Sequence, residues 1–200
     1  MRFEAHTLYH LYNRGNDGMT LFYGPADYGL FLRKIRHSLL PHCQLLAYCL
    51  MPNHFHLLLQ PTEAGATDDD STSSTRQPLT RGLATMLSSY SQALNLRLGR
   101  RGALFQPKSK IKALTGPLQA AHYPLTCFHY IHQNPVRAGL SPTLADWPYS
   151  SYRDYAGLRA GTLCQQVIAA QLLDLPPDPV AFQREAAAAS AWERVRGAWH

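Results

Sequence analysis

The stretch from residue 44 to residue 60 limits the possible folds more than any other part of the chain. Two short apolar runs, 44–50 and 54–60, are separated only by Met51-Pro52-Asn53. Runs of strand length joined this tightly pair antiparallel, because parallel neighbours need a long crossover. Upstream, residues 7–14 read as a strand, ended by the turn formers Asn13-Arg14-Gly15-Asn16-Asp17-Gly18. Asp27 can cap a helix running to about Leu40, with Leu30, Phe31, Ile35, Leu39 and Leu40 at helical spacing. Downstream, residues 79–98 read as a helix with Leu83, Met86, Leu87, Tyr90, Leu94 and Leu98 on one side. Residues 103–114 read as partly extended, and a further helix runs from about residue 117 to Asn134, where Pro135 stops it. The order β-α-β-β-α-β predicts an α+β fold: a ferredoxin-like antiparallel sheet with helices on one face, the third helix being an addition to it.

The chain has one domain's worth of length, 200 residues. Its core domain is expected over residues 1–155, with a mobile loop at about 64–78 and a helical C-terminal extension over 156–200. The loop expectation rests on the low-complexity run 64–75, which cannot bury enough apolar surface to offset its ordering entropy. No membrane-length apolar run or signal-peptide pattern is visible, which points away from membranes and secretion. Cys43, Cys49, Cys127 and Cys164 form no Cys-x-x-Cys pair and read as reduced, mostly buried thiols of a cytosolic protein.

The net charge of +6 points to a polyanionic partner, and its distribution sharpens this. Residues 71–145 hold no Asp or Glu but carry Arg76, Arg81, Arg97, Arg100, Arg101, Lys108, Lys110, Lys112 and Arg137. A field of one sign attracts phosphates and releases counterions on binding, so a nucleic acid is the expected partner. The competing explanation is a basic surface kept for solubility. Arg97, Arg100 and Arg101 surround a glycine turn, and Lys108, Lys110 and Lys112 alternate, so an extended stretch places them on one face. Arg14 is a further candidate contact. Phe105 and Trp147 can stack bases or pack in the core, with the core the expected place.

Two local features carry chemistry. His54 and His56 are two apart on a strand, so both rings share a face while Phe55 points to the core. Such a pair is either a preformed metal-binding edge or two partly exposed strand histidines. The second feature lies in the last predicted helix, where Tyr130 and Asn134 share a face and Cys127 and Ile131 can pack inward. An amide oxygen can complete a two-histidine site for Mg²⁺ or Mn²⁺. Alternatively, Tyr130 is a packed tyrosine and Asn134 ends a helix.

The segments 48–59 and 130–139, with His10-Leu11-Tyr12-Asn13-Arg14-Gly15-Asn16 before them, resemble the single-tyrosine HUH transposases. The resemblance is to the branch of REP-associated tyrosine transposases of bacteria, and spans roughly residues 5–155. It implies a ferredoxin-like nuclease domain acting on single-stranded DNA with hairpins (REP-like repeats) and using a divalent metal, Mg²⁺ or Mn²⁺. It further implies a cytoplasmic, nucleoid-associated bacterial protein working as a monomer or homodimer. Carried across by motif, His54 and His56 match the metal-binding histidines, Asn134 the third ligand and Tyr130 the nucleophile. Attack by Tyr130 then leaves a 5′-phosphotyrosine and a free 3′-hydroxyl, so a later 3′-hydroxyl can rejoin the strand without ATP. The DNA contacts expected are Arg14, Arg97, Arg100, Arg101, Lys108, Lys110, Lys112 and Arg137. Two stretches depart from the family pattern. Residues 104–110 stand where relatives often carry a Trp-x-x-Arg-like stretch, and the acidic run Asp68-Asp69-Asp70 looks like an insertion.

Competing readings stay open at this level. The same sheet can bind single-stranded DNA or RNA without cleaving it. A zinc hydrolase needs a further His, Asp or Glu at ligand spacing, and none stands near either motif. Among other tyrosines, Tyr90 is expected in the core, and Tyr123 can approach DNA. His10 reads as bland; His129 and His132 flank Tyr130 as exposed residues, as neighbours of DNA or as a general base.

Overall fold

The computed structural model describes residues 2–67, 76–115 and 122–189. In chain order the elements are β1 (Tyr9–Arg14), α1 (Pro25–Ser38), β2 (Cys43–Met51), β3 (His54–Pro61), α2 (Glu63–Ala66) and α3 (Pro78–Arg97). They continue with β4 (Lys110–Ala113), α4 (Tyr123–Arg137), α5 (Tyr152–Tyr155), α6 (Gln166–Leu173) and α7 (Pro179–Ala188). The sheet order is β2-β3-β1-β4, with every neighbouring pair antiparallel, as the β-α-β-β-α-β reading requires. The expected hairpin is present, closed by Pro52-Asn53 alone because Met51 still pairs with His54.

Alternation along the strands builds two cores. Tyr9 and Leu11 of β1, Leu45, Tyr48 and Leu50 of β2, and Phe55, Leu57 and Leu59 of β3 face α1 and α3. There they meet Phe31, Ile35 and Leu39 of α1 and Leu79, Met86, Tyr90 and Leu94 of α3. Phe31 and Phe55 are fully buried, each contributing about 1.5–3 kcal/mol relative to exposure. The opposite face, with Leu46, Ala47, Cys49, Met51 and Leu58, is covered by α4 through Cys127, Phe128, Tyr130 and Ile131. A register shift between Leu45 and Ala47 puts Leu46 and Ala47 side by side in this second core. The ferredoxin-like helix pair thus lies on one face and the added helix on the other.

Close approaches at one end of the sheet bring the hairpin turn beside the end of β1. Gly15 N–H donates to Asn53 O at 2.8 Å, and Leu21 and Phe22 N–H donate to Pro52 O. A Cβ at position 15 would sit 2.0 Å from Met19 O, so only glycine allows this turn.

Several expectations are corrected. Asp27 does not cap α1: Gly24 is the N-cap, and the buried Asp27 carboxylate accepts the Tyr23 N–H at 2.8 Å. Pro135 does not stop α4, which continues to Arg137. The missing Pro135 N–H removes one helical bond, and Asn134 Nδ2 lies 3.5 Å from the Ile131 carbonyl and 2.8 Å from that of Tyr130. The proposed start of this helix near residue 117 lies outside the described residues. So does most of the predicted loop, including Asp68-Asp69-Asp70. Its flanks are structured: Thr62 caps α2 by accepting from Gly65 N–H at 3.1 Å, and buried Gln77 exchanges two hydrogen bonds with the Phe3 backbone.

Beyond residue 155, α6 and α7 place Ala169, Leu173, Phe182 and Ala186 in the second core, while Leu163 and Cys164 before them pack in the first. The extension docks on α4 through Gln133 Nε2, which donates to Ala186 O at 2.8 Å, and through His129 Nε2 with Glu185 Oε1 at 2.9 Å. His132 Nε2 meets Ser151 Oγ at 2.7 Å, and the segment around Ser151 pairs with the outer edge of β2. The final residues, 190–200, lie outside the described ones. All four cysteines are buried and free. Among the described residues no helix is long and apolar enough to cross a membrane.

The buried histidines of α4 set an acid limit on stability. Burial holds His132 well below the ordinary imidazole value, and lowers His129 despite the opposing pull of Glu185. Below pH about 6.5 the unfolded chain therefore binds protons that the folded chain refuses, and stability falls as pH falls. Urea denaturation should show a lower midpoint at pH 5.5 than at pH 7.5. The His132 part amounts to at most about 1.4 kcal/mol per pH unit, and His132→Gln should flatten the slope.

Candidate functional site

The register of the two central strands assembles the first half of the site. β1 and β3 pair Tyr12 with His56 and Arg14 with His54. β4 pairs Lys112 with His10 and Lys110 with Tyr12. By strand alternation His10, Tyr12, Arg14, His54, His56, Lys110 and Lys112 all belong to the face that α4 covers. Phe55 points the other way into the first core, as its position predicted.

The two imidazoles are held in different ways. Their ring centres are 5.1 Å apart at 89°. His54 Nδ1 lies 2.7 Å from Asn53 Oδ1. An amide oxygen can only accept, so Nδ1 carries a proton, and the neutral form of this ring has its lone pair at Nε2. His56 Nδ1 lies 2.9 Å from His10 Nε2, the two rings being nearly parallel at 16°. His10 has no exposed surface; burial, with Lys112 adding to it, pushes its pKa down to about 3. His10 is therefore a neutral imidazole buried against the pair.

Helix α4 brings the second half. Tyr130 is 5% exposed, with its ring 5.7 Å from that of His56 and 6.1 Å from that of His10. Asn134 is one turn on and donates to the Tyr130 carbonyl, as described above. Because the helix runs through Pro135, Arg137 falls on the same stripe and its guanidinium carbon lies 5.7 Å from the Tyr130 ring centre. Burial pushes the Tyr130 phenol up to about 12, against the opposing effect of Arg137. Cys127 and Ile131 pack inward, as expected.

The structure thus brings Tyr130 beside His56, which neighbours His54, with Asn134 and Arg137 on the Tyr130 stripe of α4 and with Lys110, Lys112 and Arg14 on the same sheet face. Lys112 Nζ lies 5.1 Å from the Tyr123 ring centre. Lys108 is exposed on the loop before β4, which Asn13 Nδ2 ties down by donating to Gln106 O and Ser109 Oγ. Arg97 stands apart from this group. It grips both oxygens of Asp27 at 2.6 and 2.7 Å and lies over Tyr23, bracing α3 against the start of α1. Arg100 rests against Met19 Sδ, and Arg101 is exposed in the turn after α3.

Other sequence candidates fall elsewhere. Tyr90 donates to Leu21 O at 2.6 Å in the first core, on the opposite face from Tyr130. Phe105 is buried in that core, and Trp147 Nε1 donates to Leu50 O. His129 and His132 are buried against the C-terminal segments rather than exposed, because α7 and the segment around Ser151 cover that side of α4. Two residues escaped the sequence reading. His10 touches His56, and the Tyr12 ring centre is 5.6 Å from that of His56, about as close as Tyr130's. Their spacing on the first strand was the available signal; the register that aligns them with β3 was not visible.

A scan against protein-family models finds no match, and a search of curated proteins finds none either. Among solved structures, the chain is similar to one described as a REP-associated tyrosine transposase bound to a REP hairpin. The match has a TM-score of 0.59 at 19% identity and covers 82% of this chain and 92% of that one. At that identity the likeness establishes the fold.

The electrostatics of Tyr130 can be read directly. A difference absorbance titration between wild type and Tyr130→Phe should place this phenol above the ordinary value of about 10. Arg137→Gln should move it further up, since the guanidinium favours the phenolate. A midpoint at or below 10 would contradict the burial seen here.

Proposed function

We propose that this protein is a metal-dependent single-stranded DNA endonuclease and strand transferase of the tyrosine HUH transposase kind. In this reading it cleaves at or near hairpin DNA through a 5′-phosphotyrosine on Tyr130. The observation that carries the reading is the Tyr130 ring 5.7 Å from His56 within one chain, with Asn134 and Arg137 on the same stripe of α4. A passive binding surface has no need of a buried phenol packed edge-on against two imidazoles. The fold likeness to a protein solved with a REP hairpin supports hairpin DNA as the substrate class.

The donor chemistry fits a divalent cation. His54 and His56 offer neutral imidazole nitrogens, and Asn134 offers a hard amide oxygen. A hard amide oxygen in the set suits Mg²⁺ or Mn²⁺ better than zinc. A cation held by His54, His56 and Asn134 would polarise the scissile phosphate and stabilise the leaving 3′ oxygen.

The chain's own residues do the rest. Burial keeps Tyr130 protonated at neutral pH, so its proton must leave as the oxygen attacks. The Tyr130 Oη–phosphorus bond forms as the phosphorus–O3′ bond breaks, and the departing oxygen takes up a proton. Arg137, beside the phenol, favours the developing phenolate and faces the incoming phosphate. Lys110 and Lys112 line the approach with positive charge, and Arg14 adds to it opposite His54.

The direct test uses 3′-labelled single-stranded hairpin DNA with Mn²⁺ or Mg²⁺, resolved on a denaturing gel. Wild type and Tyr12→Phe should give a labelled band at protein size. Tyr130→Phe should give none while keeping hairpin affinity within a few-fold. An adduct with Phe at 130 would overturn the assignment, and binding without any adduct would leave a non-catalytic DNA- or RNA-binding module.

The basic residues divide into two groups that salt dependence separates. Lys112→Ala should weaken binding evenly across sequences and lower the slope of log K against log[salt] by about 0.7. Arg97→Ala should leave that slope unchanged and reduce thermal stability instead, because Arg97 is engaged by buried Asp27. Equal slopes for Lys112→Ala and wild type would remove Lys112 from the contact surface.

A further inference from the structure

We propose that His10 is a positioning residue for the cation site: its Nε2 accepts the His56 Nδ1 proton and fixes His56 in the tautomer that presents the Nε2 lone pair. The inference rests on the proposed reading of His54, His56 and Asn134 as ligands.

Two imidazole rings that meet nitrogen to nitrogen at 2.9 Å hold one proton between them. If the proton sits on His56 Nδ1, the His56 Nε2 lone pair is open to a cation. If it sits on His10 Nε2, then His56 carries its own proton on Nε2 and cannot ligate. His54 has no such ambiguity, because Asn53 Oδ1 can only accept. Only at His56 does ligation depend on a partner that can play either role, and that partner is His10.

The structure fixes His10 for this task. It lies on a central strand with Leu58 and Lys112 as register partners and has no exposed surface. Its ring stacks on Tyr12 at 4.8 Å and meets the Tyr130 ring edge-on at 6.1 Å. Rotation of either imidazole out of the shared plane would break these stacking contacts. Partners that orient metal-binding histidines are commonly carboxylates or carbonyls. A carboxylate at position 10 would add negative charge beside Tyr130 and beside an incoming phosphate. A neutral imidazole orients His56 and leaves the cation's full charge for the phosphate.

The experiment measures Mn²⁺ binding by electron paramagnetic resonance on full-length protein without DNA. His10→Phe keeps a planar ring in the space but removes the acceptor; His10→Gln places an amide oxygen near the position of Nε2. The expected result is a 10–100-fold weaker Mn²⁺ affinity for His10→Phe and near wild-type affinity for His10→Gln. Metal-free thermal midpoints of both variants should stay close to wild type. A histidine ¹⁵N correlation spectrum of wild type with Mg²⁺ should show His56 protonated on Nδ1, which holds the inference to account even if a variant fails to fold. Equal affinity of His10→Phe and wild type, equal weakening in both variants, or a His56 proton on Nε2 would overturn the role of His10 alone. A wild type that takes up no Mn²⁺ would overturn the metal reading and this inference with it.

Discussion

The pairing of Tyr12 with His56 across the two central strands is the constraint on which the site depends. Side chains alternate along a strand, so a slip of one residue would turn both imidazoles into the first core and Phe55 out of it. That slip is opposed from both sides. Phe55 is fully buried among Phe31, Tyr90 and Phe105, and imidazoles in its place would lose their polar partners. The Gly15–Asn53 contact pins the same register at the turn. Apolar packing on one face thereby sets polar chemistry on the other.

Helix α4 is the second constraint, and its irregularity has a use. Proline at 135 costs one helical hydrogen bond, while the Asn134 side chain turns back on the preceding carbonyls. The helix survives long enough to keep Arg137 on the stripe of Tyr130. Its far side carries His129, Gln133 and His132, each bonded to a segment from the C-terminal half. The extension therefore buttresses the helix that presents Tyr130, rather than trailing from a finished domain.

Much of this was legible in the sequence, for identifiable reasons. The tight turn at Pro52-Asn53 and the helical spacing before and after it carry the strand and helix order, because these signals are local. The two-residue spacing of His54 and His56 and the four-residue spacing of Tyr130 and Asn134 are local too. What stayed hidden was tertiary. Arg97 looked like part of a basic stretch, but a buried Asp27 seventy residues away claims it. His10 looked bland because only the β1–β3 register brings it to His56. His129 and His132 read as exposed residues, DNA neighbours or a general base because nothing near them in sequence announces that α7 and the segment around Ser151 cover them. Pro135 looked like a stop because the stop rule does not foresee a helix that continues to Arg137 with one hydrogen bond fewer.

The account turns on one cation being shared by the sheet and the helix. Crystals soaked with Mn²⁺ and measured at the manganese absorption edge would locate it by anomalous scattering. The account predicts a single strong peak within bonding distance of His54 Nε2, His56 Nε2 and Asn134 Oδ1. Strong peaks elsewhere with none at these three atoms, or manganese held by the histidines with Asn134 turned away, would contradict it.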